Sequence, residues 1–222
     1  MEKALQSLGK PLYETLYLTF VPLVLAIIFG SIIGTLIFVT GDNGVLDVED
    51  NAFYRVLHFV SDALVNIFRS VPYLILLIWL LPITRFLVGS TIGTNAAVPS
   101  LTISATPFFA RMVVIAFTEV DKGTIEASKA LGASTWQIIF KVLIPESLPA
   151  LISSVAVTGI NLVSYSTMAG AIGAGGLGFE AYQYGLIRQN MSRMMLATSV
   201  IIIIVFAIQI IGDIASKAVD KR

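Results

Sequence analysis

Long apolar runs constrain this chain more than any other feature. Met194 to Ala215 reads MMLATSVIIIIVFAIQIIGDIA, and Leu16 to Val39 is almost as apolar. Such runs match the roughly 20 residues of helix that cross a hydrocarbon layer about 30 Å thick. Inside that layer no water can satisfy backbone N–H and C=O groups, so an isolated apolar run must be helical. Composition agrees: 56% of residues are hydrophobic and 13% charged, against about a quarter charged in a soluble domain. The chain reads as an all-α membrane protein, one transmembrane domain over residues 1–222.

Five spans are expected, at Thr15–Val39, Val60–Pro82, Ala96–Thr118, Leu148–Ile172 and Met194–Ala215. Lys3 and Lys10 precede the first run, but it is too long for a signal-peptide core and no small-x-small site follows, so it reads as a retained span. The second is the least regular. Asp62, Asn66 and Arg69 fall at i, i+4 and i+7, on one helical face. An arginine at mid-bilayer costs about 3 kcal/mol on insertion scales, which several leucines can offset. Arg69 is therefore expected near a membrane surface, or facing protein or water. In the third span Ser104, Thr106 and Pro107 invite a kink, and Arg111 lies toward its cytoplasmic end.

Several functions are excluded. With no cysteine and one histidine, His58, neither a disulfide framework nor a thiol or histidine-rich metal site is available. The net charge of zero gives no global field for nucleic acid. No G-x-x-x-x-G-K-[ST] phosphate loop occurs; Leu8–Pro11 has the Gly-Lys pair without its context.

Residues 119–146 interrupt the apolar pattern with the most polar helical stretch. Glu126–Ala130 is a strong helix former, with Thr124 as its expected N-cap and Gly132 as the left-handed residue that ends it. Ser134 is the expected N-cap of a second helix, and Pro145 and Pro149 bracket the start of the fourth span. Two short helices thus meet at a glycine corner flanked by small residues, Ala127, Ser128, Ala130 and Ala133. A knob of that shape can enter a groove on another protein. With this segment in the cytoplasm, Arg55, Lys122, Lys129, Lys141, Lys217, Lys221 and Arg222 lie inside, against Lys3, Lys10, Arg85, Arg188 and Arg193 outside. The sign follows the positive-inside rule, and five spans then put the N-terminus outside and the C-terminus in the cytoplasm.

Glu126-Ala127-Ser128, Gly132 and Val142-Leu143-Ile144-Pro145 resemble the Glu-Ala-Ala, Gly, Ile-x-Leu-Pro signature loop of bacterial ABC importer permeases, with the spacing intact. The departures, Ser128, Val142 and Ile144, are conservative. RSVPYLILLIWL at Arg69–Leu80, the stretch from Ala110 to Ser134, and YSTMAGAIGAGGLGFEAYQYG at Tyr165–Gly185 together resemble methionine importer permeases; the Gly-rich part alone is shared with osmoprotectant (choline and betaine) permeases. The resemblance implies a type I ABC importer permease fold of five helices with a cytoplasmic coupling-helix loop. It implies that Glu126, Ala127, Ser128, Gly132, Ala133, Val142, Ile144 and Pro145 contact a separate ATPase. It also implies a homodimer, two ATPase subunits that use the ATP and Mg, an extracytoplasmic methionine-binding protein, and a bacterial plasma (inner) membrane location. No catalytic residue, cofactor or metal is then expected in this chain.

Asn161, Ser164, Tyr165, Ser166 and Thr167 are polar groups within the fourth span, and Met168 adjoins them. They bond between helices, or they line a translocation path at a subunit interface. Met168 is packing or a gate element. Gly170, Gly173, Gly175, Gly176 and Gly178 permit close helix approach, turn the chain, or touch substrate. An ion-coupled secondary transporter is the rival class, but no Asp, Glu or His falls securely mid-span as its coupling would need.

Overall fold

The computed structural model describes residues 8–41, 44–46 and 51–220. The Asp-Asn turn after the first span, and Lys3, Lys221 and Arg222 of the charge count, lie outside the described residues. The described helices are α1 (Gly9–Val39), α2 (Ala52–Ser70), α3 (Tyr73–Trp79), α4 (Leu81–Val88), α5 (Thr94–Thr118), α6 (Lys122–Ala130), α7 (Thr135–Ala174), α8 (Gly176–Tyr182) and α9 (Met191–Val219). No strand occurs among the described residues.

Four helices, α1, α5, α7 and α9, are long and apolar enough to cross a membrane. The expected second span is broken: α2 and α3 meet at 107° and make a fifth span only if the bent pair is one crossing. The break lies at Val71–Pro72. Proline lacks an N–H and disfavours helical backbone in the residue before it, and Val71 is extended (φ −82°, ψ 123°). Other boundaries move as well. Helix α1 starts at Gly9 rather than Thr15 and is about 46 Å long, well beyond the hydrocarbon thickness. Helix α7 joins the second loop helix to the fourth span without a gap. A wider π-helical turn at Ile139–Leu143 leads directly into Pro145, where a regular helix would crowd the ring. Ser147 Oγ donates to the Leu143 carbonyl at 2.6 Å, and Ser216 Oγ of α9 to the Pro149 carbonyl at 2.9 Å.

The core forms where α1, α5 and α7 pack together. Gly30 and Gly34 of α1 form a G-x-x-x-G step against α5 that sequence reading overlooked. A Cβ on Gly34 would lie 2.5 Å from the Ala110 carbonyl oxygen, and one on Gly30 would lie 2.9 Å from that of Thr106. Small residues let two backbones approach closely where no hydrophobic force favours association in lipid. At one end, hereafter the corner end, Phe38, Phe117, Ile125, Ile138 and Leu143 are buried together. At the opposite end the chain turns through Gly173 (φ +105°), Gly175 (φ +86°) and Gly176 (φ +82°), values that glycine adopts without strain. The Gly176 N–H donates to Glu14 and the Leu177 N–H to the Thr15 hydroxyl, both at 2.8 Å. A Cβ on Gly176 would meet that hydroxyl at 2.8 Å, so the turn needs glycine for conformation and for space.

Helix α2 is amphipathic and attached at few points. Val65 is buried, and His58 Nδ1 lies 3.0 Å from the Ile37 carbonyl at the end of α1. Asp62 pairs with Arg111 of α5, while Arg69 is exposed. The outer face of α9, with Ile203, Phe206, Ile210 and Ile214, is exposed and apolar, as contact with lipid requires.

Substituting Gly34→Leu should lower the thermal midpoint of the detergent-solubilised protein, since overpacking a helix contact costs about 1–3 kcal/mol. Gly9→Ala should not, because nothing lies within 4 Å of a Cβ there. Differential scanning fluorimetry of the two variants checks the contrast.

Candidate functional site

The corner between α6 and α7 is built by local capping rules. Asp121, not the expected Thr124, caps α6: its carboxylate accepts the Thr124 N–H at 3.1 Å. Thr124 instead supplies a carbonyl to Ser128 Oγ at 2.7 Å. The far end of α6 closes as a Schellman motif. The Ala133 N–H reaches the Ser128 carbonyl at 3.1 Å and the Gly132 N–H that of Lys129 at 2.9 Å, with Gly132 at φ +77°. Ser134 then starts α7 with a capping box, its N–H donating to Gln137 Oε1 at 2.8 Å and its hydroxyl receiving the Gln137 N–H.

Ile125 fastens this corner to the core beside Ile138 and Phe117, and leaves the tip free. Glu126, Ala127, Gly132 and Pro145 are exposed, and Ser128 and Ala133 are half-buried. Val142 and Ile144 are half-buried, as Ala133 is, and pack on the buried cluster that braces the corner. Three exposed residues escaped sequence reading. Leu131, at the tip, is 89% exposed, and Trp136 and Phe140 are 69% and 61% exposed and stacked with ring centroids 5.9 Å apart. A leucine just before the corner glycine, and aromatics at i and i+4 on a helix that must leave the membrane, were the available signals.

The candidate path residues divide. Asn161, Ser164 and Met168 share one line along α7 with Val157 and Ile172, spaced by three and four residues. Ser164, Met168, Val157 and Ile172 are exposed and Asn161 is half-buried. Tyr165 lies on the flank, stacked on Tyr73 at 4.7 Å. Ser166 points away: it is buried and donates to the Val163 carbonyl at 2.7 Å. At the corner end the open line runs into a cleft of about 400 Å³ lined by Ile115 and Glu119 of α5 and Glu146, Ser153 and Val157 of α7. An exposed, partly polar line within a spanning helix is what a second protein chain or a water-filled path would cover.

Residues 48–222 match the family described as "Binding-protein-dependent transport system inner membrane component". The chain is 56% identical over 168 residues to the methionine import system permease protein MetP of Bacillus subtilis, covering 76% of each chain. It is 43% identical over 217 residues to the "Probable D-methionine transport system permease protein MetI" of Pasteurella multocida, covering 98% of this chain and 97% of that one. Among solved structures, a chain of the inward-facing MetNI methionine ABC transporter (CY5 native crystal form) superposes with a TM-score of 0.92 at 43% identity, covering both chains completely. An amino acid ABC transporter crystallised with histidines shares the fold, with a TM-score of 0.78 at 18% identity. This chain therefore belongs to the family of binding-protein-dependent transport system inner membrane components.

Proposed function

We propose that this chain is the membrane-spanning subunit of an ATP-driven ABC importer and provides the route along which methionine crosses the bilayer. The observation that carries this reading is the corner itself. It is a capped helix–glycine–helix knob, exposed at Glu126, Ala127, Leu131 and Gly132, and rooted through Ile125 in the cluster that joins α1, α5 and α7. The methionine importers that it resembles over its full length supply the substrate assignment.

Two copies stand around a two-fold axis with the open line of α7 from each facing the other. The corner end is cytoplasmic, and each corner enters a cleft of one ATPase subunit. The N-terminus lies outside and the C-terminus inside. ATP and Mg bind the ATPases. When these close, the corners move with them. α5 and α7 share a buried cluster with each corner, so they tilt together and the route opens outward. A binding protein docked on the outer face then releases methionine, and hydrolysis restores the inward-open state. This is a conformational shift powered by differential binding elsewhere, and the permease performs no chemistry.

Three outcomes are expected. Gly132→Leu should abolish uptake while leaving the fold intact. No atom lies within 4 Å of a Cβ there, and the left-handed backbone costs a side chain about 1–2 kcal/mol, so the loss falls on the coupling of the corner to the ATPase. ATP-dependent uptake in proteoliposomes, beside circular dichroism of the variant, separates the two effects. Deleting Glu126–Gly132 should abolish co-purification with the ATPase, and a stable complex without the segment would contradict docking there. In a panel of amino acids and betaines, the reconstituted complex should accumulate methionine; uptake of betaine without methionine would refute the substrate assignment.

A further inference from the structure

We propose that Asp62 and Arg111, with Asn66 beside them and Asn161 at the same level of α7, form a way-station for the charged head of an α-amino acid passing along the open line of α7. The proposal rests on the reading of that line as the route. Arg111 Nη1 lies 3.5 Å from Asp62 Oδ1, and the two side chains are 40% and 31% exposed. The other carboxylate oxygen accepts Asn66 Nδ2 at 2.8 Å. Ionised groups within spanning segments are costly and face protein or water in place of lipid. This pair is neither sealed in the core nor at a helix end.

Its level follows from helix geometry. Ile115 of α5 and Val157 of α7 line the same cleft at the corner end. The two helices run in opposite directions. One turn further from the corner, α5 presents Arg111 and α7 presents Asn161, each four residues away. The ion pair therefore stands just beyond the inner cleft, at the depth of the first polar residue on the open line.

The chemistry fits a zwitterion. A free amino acid carries a carboxylate and an ammonium, and both lose water in a narrow passage. Arg111 can donate to the carboxylate and Asp62 can accept from the ammonium. Their mutual contact is single and long, not a bidentate fork, so exchanging it for the substrate's charges sacrifices little. Ile115, Val157 and Met168 along the same route are apolar, which suits an apolar side chain. Recognition of the head then falls to the pair.

The permease has no cysteine, so an introduced thiol is unique in this subunit. The test uses the full complex with ATPase and loaded binding protein in proteoliposomes. Ser164→Cys should react with a water-soluble thiol reagent in the inward-open state; no reaction refutes the route on which the proposal rests. D62N/R111Q retains hydrogen-bonding groups between α2 and α5 but removes both charges. It should hydrolyse ATP at the wild-type rate while methionine moved per ATP falls about tenfold, the loss of one charge-assisted hydrogen bond. Unchanged uptake per ATP, with Ser164→Cys labelled, overturns the way-station and leaves the route standing. If the double variant fails to assemble, D62N alone carries the test: methionine moved per ATP should fall several-fold at an unchanged ATPase rate, and unchanged uptake per ATP would overturn the proposal.

Discussion

In hydrocarbon a chain must satisfy its own backbone, and everything distinctive in this protein follows from where it stops doing so. Most of the described residues lie in helices whose hydrogen bonds close internally. Among the departures are the break at Val71–Pro72, the turn at Gly89–Gly93, the corner at Gly132, the π-helical turn before Pro145, and the turn at Gly173–Gly176. At two of them the freed groups meet specific partners. Glu14 and Thr15 take the N–H groups of Gly176 and Leu177, and the Schellman bonds close the end of α6.

Between the two ends of the bundle, packing decides what is held together. Gly30 and Gly34 bring α1 against the backbone of α5, with no room for a side chain between them. The buried cluster of Phe38, Phe117, Ile125, Ile138 and Leu143 then joins this pair to the corner and to the start of α7. The corner thus shares buried contacts with α5 and α7, which line the cleft at that end together with the end of α9. Helix α2 is different: it is held by Val65, a histidine contact and one ion pair, and it can shift with little loss of buried surface.

Much of this was legible in the sequence. Apolar run length gave the long spans, Gly132 and Ser134 gave the corner, and the spacing from Glu126 to Pro145 gave its resemblance. Capping is a contest between neighbours, and Asp121 outcompeted Thr124 because its carboxylate reaches the first turn from outside the helix. The broken second span was signalled by Pro72, but the apolar run around it masked the signal. The polar residues of α7 could not be sorted by type alone. Only their rotation about the helix separates Asn161, Ser164 and Met168 from Ser166, whose hydroxyl is spent on its own backbone. The Asp62–Arg111 pair joins residues 49 positions apart, which no local pattern reports.

The central claim is that the corner carries the ATPase's motion into the helices that line the route. Electron-spin distance measurement tests it most directly, with a label at Thr118→Cys, an exposed position at the corner end of α5, in both copies of the assembled complex. On trapping with ATP the inter-label distance should change by several ångströms in the otherwise native complex and stay fixed when Gly132→Leu is added. An equal change in both backgrounds, or none in either, would contradict the claim.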